Sequence, residues 1–324
     1  MKEVPETQSF PNHQELDSEL HDGLSKLFDV STYLDFPFTL EEVANYFLPG
    51  SNITAADLRR LLLTEKFSDL RFVIKDGYLF TRHDQSVDTR SQREAMSAAK
   101  LTAAAGLAKQ LSRLVPFIRM IAVTGSVAYG SAEKWDDIDL FVVTDRRRLW
   151  ISAFLMLCQV RLCKILGLRA PHLSNFCLSY VHDQQGFLSE SRKNRASALF
   201  ARELLKAEPV AGKEEYRRIL KENGWVNDLY SNPYWEKLKL LEGYANGRDR
   251  PETTSSGLHC LLLDWADGIF YAALSRYLRI RAYLANIKLG SQGKTAREFE
   301  PIISWSSCVY TSNFYRWLHA LWGE

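Results

Sequence analysis

The chain has 324 residues, of which 46% are hydrophobic and 25% are charged, and its 41 basic and 39 acidic residues leave a formal net charge of +2. This composition excludes a disordered protein, and a chain of this length predicts two or three domains. The near-neutral total excludes a general attraction to nucleic acid or to a membrane surface, so any basic patch must be local.

The sequence predicts a cytoplasmic protein with no membrane contact. The N-terminus has no apolar core of the kind that a signal peptide needs. The most apolar run, Leu149–Val160, is shorter than the about 20 residues that cross a bilayer. The five cysteines have no metal-ligand spacing, so we expect reduced, buried thiols.

Residues 1–85 carry the pattern of a winged-helix-like domain, with three short helices followed by a β-hairpin. Thr39 and Glu42 form a capping box for the second helix, and Thr54 caps the third. Asp76-Gly77 between two short apolar runs is a strong hairpin signal. Winged helices serve either DNA binding or protein packing, and the few basic residues on the third helix favour packing.

Residues 86–114 predict a connecting helix, and residues 115–190 then predict an α/β-type core with a short mixed sheet. Residues 191–324 predict a mostly helical C-terminal region, so the fold class is α+β with a domain on either side of the core. The core elements are a strand at Ile118–Val123, a strand at Ile138–Val143, a helix at Arg146–Leu166 that is capped by Asp145 and closed by Gly167, and a strand at Phe176–Val181.

The residues that predict chemistry lie between the first two core strands. Gly125 and Ser126 follow the first strand, and Asp137 and Asp139 open the second. Side chains alternate along a strand, so the two carboxylates point the same way and raise each other's pKa unless a cation lies between them. Oxygen ligands without His or Cys suit Mg²⁺ or Mn²⁺, and we expect two such ions.

The Gly-Ser pair predicts a phosphate-binding turn. Gly125 lets backbone N–H groups approach an anion, the helix that follows favours negative charge, and the Ser126 hydroxyl adds a donor. Ser131 and Lys134, in the loop before the carboxylates, are weaker candidates for phosphate contacts. A phosphate-binding turn next to metal-binding carboxylates predicts a nucleoside triphosphate as substrate.

This stretch resembles the DNA polymerase β-like nucleotidyltransferase superfamily, whose signature is Gly with Gly or Ser, nine to thirteen residues, and then Asp, an apolar residue and an acid. The resemblance covers roughly residues 115–183. It implies that Gly125 and Ser126 hold the triphosphate and that Asp137 and Asp139 bind the metals. It also implies transfer of a nucleoside monophosphate to a hydroxyl with release of pyrophosphate, to an acceptor that could be a small molecule, a protein or RNA.

The superfamily usually has a third carboxylate on the next strand, and here the face that carries Asn175, Cys177 and Ser179 has no acid. Asp183 at the strand end is the nearest candidate, and Glu190 is a later one. The missing acid leaves two alternatives open. One is a non-catalytic nucleotide-binding sensor or adaptor with the same fold, and the other is a DNA-binding regulator that uses the winged-helix-like segment.

Overall fold

The computed structural model describes residues 13–51, 53–64, 67, 70–81, 85–165, 176–242, 258–291, 293 and 298–323. The chain divides into two compact units, Met1–Thr89 and Arg90–Glu324. Among the described helices, none has the length and apolar character that crossing a bilayer requires.

The first unit contains the three helices and the hairpin that the sequence predicts. Its three short strands form an antiparallel sheet in the order β1-β3-β2. The elements are α1 His13–Leu34, β1 Phe38–Thr39, α2 Leu40–Tyr46, α3 Ala55–Leu62, β2 Val73–Lys75 and β3 Tyr78–Phe80. The order of elements agrees with the winged-helix-like interpretation, which stays a prediction.

Local chemistry explains these elements. Thr39 and Glu42 make the predicted capping box, in which the Glu42 carboxylate accepts from the Thr39 N–H at 2.8 Å. Thr54 accepts from the N–H of Asp57 and starts α3. Asp76 and Gly77 have φ of +53° and +82°, the two positive values that a type I′ hairpin turn requires.

The second unit has a six-stranded mixed sheet with helices on both faces. Helix α4, Val87–Leu114, leads into it from the first unit. The remaining elements are β4 Ile118–Thr124, α5 Gly125–Ala128, β5 Ile138–Thr144, α6 Leu149–Ile165, β6 Phe176–Asp183, α7 Gln184–Lys193, α8 Ala198–Lys206, β7 Glu208–Ala211, α9 Lys213–Glu222, α10 Val226–Leu229, α11 Ser231–Glu242, α12 Leu258–Ser291, β8 Phe299–Ile303, β9 Ser307–Ser312 and α13 Asn313–Trp322.

The strand order is β7-β4-β5-β6-β9-β8, and of these pairs only β5 and β6 are parallel. Helix α6 makes the crossover that a parallel pair needs. Strands β7, β8 and β9 come from residues 191–324, where the sequence predicts a separate helical region. The structure differs because these three strands complete the sheet that β4, β5 and β6 begin.

The two faces of the sheet have separate cores. On one face, Leu140 of β5 packs in a buried cluster with Leu111, Trp150 and Leu274 of the surrounding helices. On the other face, the ring of Phe141 lies 5.5 Å from that of Phe187 on α7. Alternation along β5 therefore sends Leu140 and Phe141 into different layers, and Asp139 shares the face of Phe141.

The start of α6 differs from the prediction that Asp145 caps it. Asp145 forms an ion pair with Arg119, and α6 begins at Leu149. The acceptor at this helix end is Asp267 of α12, which is fully buried and receives the Ile151 N–H at 2.8 Å. A cap from a helix more than a hundred residues away leaves no local signal in the sequence. Gly167 and Asn175 lie outside the described residues.

Candidate functional site

The two carboxylates predicted from the sequence lie at the beginning of β5. Asp139 is the second residue of the strand, and its partner in the antiparallel pair with β4 is Thr124, the last residue of β4. Asp137 immediately precedes the strand and is exposed, whereas Asp139 is largely enclosed. The Gly-Ser turn that follows Thr124 therefore lies beside Asp139.

Gly125 makes the closest approach to this carboxylate. Its φ is +65°, and a Cβ built on it would lie 2.5 Å from Asp139 Oδ2. Glycine is therefore required at this position for two reasons: the backbone is left-handed, and Asp139 occupies the space that a side chain would need. The sequence expected Gly125 and the carboxylates to share a site, and the structure brings Gly125 and Asp139 into contact.

Ser126 and Ser131 are linked by the turn that follows. The Ser131 N–H donates to the Ser126 carbonyl at 2.9 Å, and the buried Ser131 hydroxyl donates to the same oxygen at 3.3 Å. Ser131 therefore shapes the turn, while Ser126 is only half-buried. Helix α5 has only four residues, so its dipole is small.

The loop before the carboxylates is fixed to helix α4. The Lys100 ammonium donates to the carbonyls of Glu133 and Asp136, at 2.5 and 2.6 Å. The Arg93 guanidinium contacts the Glu133 carboxylate at 2.6 Å. Lys134 between these anchors is exposed. The anchors fix the path of the chain into Asp137, so the position of the acidic pair does not depend on β5 alone.

Asp139 lies in an environment that opposes its negative charge. Its pKa is raised to about 6, mainly by burial and also by the charges of Asp137, Asp136 and Glu203, against the lowering effect of a hydrogen bond from Ser179. The Ser179 hydroxyl donates to Asp139 Oδ1 at 2.5 Å. Ser179 lies where the register between β5 and β6 shifts by one residue, so a β-bulge turns its hydroxyl toward the carboxylate.

The structure does not bring Asp183 to this pair. In the parallel register, Asp139 lies opposite Cys177 and Asp183 lies opposite Thr144, which is five residues and about 17 Å further along β5. The buried Asp183 carboxylate caps α7, accepting from the N–H groups of Gly186 at 2.7 Å and Arg147 at 2.9 Å. The expectation that Asp183 supplies the third acid is therefore corrected.

Glu190, the later candidate, accepts a hydrogen bond from the Asn194 side chain at the end of α7. His182, next to Asp183, is buried on the sheet face of Phe141, with its ring about 6 Å from those of Phe141 and Phe187. Burial lowers its pKa to about 4, so it is a neutral core side chain. Neither residue is part of the arrangement around Asp139.

Glu203 on helix α8 is the acidic residue that the sequence interpretation did not assign. Its charge raises the pKa of Asp139, so the two carboxylates share one electrostatic environment. The hydroxyl of Tyr129, four residues after Gly125, donates to Glu203 Oε1 at 2.7 Å. Burial raises the pKa of Glu203, and the neighbouring Arg202 and Lys206 lower it. Because α8 packs against the sheet from another layer, the number of residues between Glu203 and the Asp-x-Asp pair is not fixed, and the sequence spacing does not reveal it.

A glycine turn in contact with an Asp-x-Asp pair, on the first two strands of a mixed sheet, is the arrangement that the sequence predicts for a nucleotide and a divalent cation. Residues 105–228 match the family model of the nucleotidyltransferase domain. The chain therefore contains a nucleotidyltransferase domain, in agreement with the resemblance to the DNA polymerase β-like superfamily. Comparisons with curated proteins and with solved structures gave no match.

Proposed function

We propose that the protein transfers a nucleoside monophosphate from a nucleoside triphosphate to a hydroxyl acceptor, releasing pyrophosphate, with Mg²⁺ or Mn²⁺ as cofactor. The nucleotidyltransferase domain supports nucleotidyl transfer in general. The observation that carries the finer proposal is the approach of the Gly125 backbone to the Asp139 carboxylate. This approach supports a single site in which the turn would bind phosphate and Asp139 would bind the cation.

The residues present fit a hard divalent cation. Asp139 is an enclosed carboxylate whose charge is opposed by its surroundings, and Asp137 lies two residues before it. The described residues contain no group of three metal-ligating side chains, but Mg²⁺ keeps several waters and commonly binds through one or two carboxylates plus substrate phosphates. Asp137 and Asp139 would hold the cation, which would neutralise phosphate charge and polarise the α-phosphoryl group.

The protein's own groups would bind the triphosphate and accept the proton of the acceptor hydroxyl. The backbone N–H groups at Gly125 and Ser126, with the Ser126 hydroxyl, bind the triphosphate oxygens. The acceptor oxygen forms a bond to the α-phosphorus while the bond from that phosphorus to the bridging oxygen breaks, and pyrophosphate leaves with the electron pair. The acceptor proton goes to a carboxylate, and we assign this role to Glu203, because burial raises its pKa and makes it a stronger base.

Transfer of label from α-labelled triphosphates tests the proposal. The protein is incubated with each nucleotide and Mg²⁺, with itself, RNA or a metabolite extract as acceptor, and pyrophosphate is measured in parallel. We expect transfer that Asp139→Asn abolishes and that Asp228→Asn, which removes an exposed carboxylate from α10, leaves unchanged. Absence of transfer with every triphosphate and every acceptor class would contradict the proposal.

Glu203→Gln tests the assignment of the proton acceptor. We expect a loss of about 10²-fold or more in transfer rate, because general bases contribute about 10²–10⁴-fold. Nucleotide binding, followed as a thermal shift, should persist. Tyr129→Phe keeps the carboxylate and removes only its hydroxyl donor, so we expect a smaller loss. A Glu203→Gln variant that transfers at the wild-type rate would exclude the assignment.

A second candidate function is a nucleotide sensor or adaptor without catalysis. It is favoured by one observation, that β6 presents Cys177 and Ser179 beside Asp139, where the superfamily usually has a third carboxylate. Such a protein gains thermal stability with nucleotide and Mg²⁺ and produces no pyrophosphate. The two measurements named above therefore distinguish the candidates in a single preparation.

A further inference from the structure

Helix α12 has two apolar faces. The helix has 34 residues, which corresponds to about 51 Å. One face packs inside the second unit, where Leu274, Leu278 and Ala282 are buried. The opposite face also carries large apolar side chains, and these are exposed. A helix that is apolar on all sides is typical of an element with neighbours on all sides.

The exposed side chains form two triads with the same spacing. In each triad, the second residue follows the first by three positions and the third by seven. The equivalent residues of the two triads are 18 positions apart, which is five full turns of 3.6 residues, so both triads face one direction. We call this surface the α12 stripe; it consists of Leu262 (57% exposed), Trp265 (70%), Ile269 (47%), Ile280 (60%), Tyr283 (67%) and Ile287 (54%).

The stripe is large enough for a stable interface. Together with the neighbouring Leu261 and Leu284, which are 66% and 59% exposed, it presents apolar side chains along most of the helix. Their exposed surface is on the order of 900 Å², and a standard protein interface buries about 800 Å² on each partner. Single exposed apolar residues need no explanation, whereas a contiguous patch of this size marks an interaction site.

We propose that the α12 stripe is the contact between two copies of this chain, with the two helices antiparallel. A two-fold axis between positions 274 and 275 would set Ile269 of each copy against Ile280 of the other. The same axis would set Leu262 against Ile287, and Trp265 against Leu284, which adjoins Tyr283. Each triad thus meets the other triad, as a self-complementary two-fold interface requires. This inference concerns assembly and is independent of the proposed function.

The charges of α12 favour the antiparallel arrangement. The cations Arg279 and Lys288 lie in the second half of the helix, and Asp264 lies in the first. A parallel pair would set each of these cations against its own counterpart, whereas an antiparallel pair separates them. Arg276 lies near the axis, opposite the small Ala273, where its long side chain can extend toward water.

A polyanion such as RNA is a different occupant, and the pattern of the stripe does not favour it. Basic residues flank only the second triad. The segment Leu261–Ile269, which contains the whole first triad, has no Lys or Arg. A nucleic-acid surface needs cations along its length, so RNA would leave the exposed Leu262, Trp265 and Ile269 unexplained.

Sedimentation of the full chain tests the proposal, at concentrations up to about 50 µM, where even a weak specific dimer is populated. We expect a dimer for the wild type and a monomer for Trp265→Lys. Leu240→Lys is the matched control, because Leu240 on α11 is 72% exposed and lies outside the stripe. A monomeric wild type would overturn the proposal, including one that binds RNA in a salt-dependent way. A Trp265→Lys protein that remains dimeric would overturn it as well.

A mixing experiment tests the orientation. Ile269→Lys and Ile280→Glu should each give a monomer. In the antiparallel pair, a mixture of the two variants sets the new lysine against the new glutamate and leaves the second Ile269–Ile280 contact intact. We therefore expect a heterodimer from the mixture alone. Failure of the mixture to associate would overturn the antiparallel assignment, and circular dichroism of each variant checks that α12 remains folded.

Discussion

Gly125→Ala is the sharpest test of the site, because the structure gives both the strain and the contact that the methyl group would create. Alanine at a φ of +65° costs about 1–2 kcal/mol. The new Cβ would also lie 2.5 Å from Asp139 Oδ2, and van der Waals contact begins near 3.4 Å, so the carboxylate or the turn must move by about 1 Å. The hydrogen bond from Ser179 opposes rotation of the carboxylate.

A displacement of about 1 Å in a reacting geometry costs on the order of 10²-fold in rate, and we expect a loss of this size in label transfer. The melting temperature should fall by about 2–8 °C, since each kcal/mol of lost stability lowers it by about 2–4 °C in a unit of this size. Gly50→Ala is the matched control, because Gly50 has a φ of +73° and no atom within 4 Å of an added Cβ. It carries the backbone strain without the contact.

The comparison of these two variants separates stability from chemistry. Both should lose stability, and only Gly125→Ala should lose transfer. A Gly125→Ala protein that transfers nucleotide within threefold of the wild-type rate would refute the reasoning, since the carboxylate would then tolerate the methyl group. Equal losses of transfer in both variants would refute it too, because strain alone would account for them.

Three further outcomes follow from the contacts of single side chains. Ser179→Ala should weaken binding of Mn²⁺ and nucleotide about tenfold in a thermal-shift titration, because a hydrogen bond to a charged group contributes about 1.5 kcal/mol or more; unchanged binding would exclude this role. Asp139 has a folded pKa of about 6, above its usual 3.8, so its ionisation costs stability as the pH rises through this range. The metal-free Asp139→Asn protein should therefore melt above the wild type near pH 7.5, with a difference that shrinks toward about pH 4; a difference independent of pH would contradict the pKa assignment. Asp267→Ala should lower stability by about 1–3 kcal/mol in urea unfolding, because the Ile151 N–H loses its buried acceptor, and transfer per folded molecule should stay constant.

The elements that the sequence predicted well are those with local causes. Thr39 and Glu42 bond to each other across one turn, and Asp76-Gly77 sets the hairpin by its own backbone preference. Thr54 starts α3 by accepting a hydrogen bond from the N–H of Asp57, three residues further along. In each case, the residues that determine the element lie within a few positions of it.

The features that the sequence did not predict depend on residues far apart in the chain. Strand β7 has four residues and forms because it pairs with β4, which ends more than eighty residues earlier. The cap of α6 belongs to Asp267, although Asp145 has the better local position. Neither the formation of β7 nor the cap of α6 can be predicted without knowing which elements are neighbours in space.

The candidate site divides in the same way. Gly125, Asp137 and Asp139 are recognisable because two strands and one turn fix their spacing. Glu203 reaches the same environment from a helix, so its position relative to the motif depends on packing and not on spacing. Asp183 was a candidate for the third acid because it is close to the motif in sequence, but it lies at the far end of β6, opposite the last residue of β5.

The number of residues in β6 indicates whether the serine that contacts Asp139 is present. Strand β5 has seven residues and β6 has eight, and all seven residues of β5 have partners in β6. Ser179 is the one residue of β6 that has no partner in β5. Its two neighbours in β6 pair with consecutive residues of β5, so their side chains point to opposite faces as they would in an uninterrupted strand. A chain that lacked this one position could therefore form the same sheet while losing the hydroxyl that contacts Asp139. Counting residues in this strand across related sequences would then separate those that retain the donor from those that have only the fold.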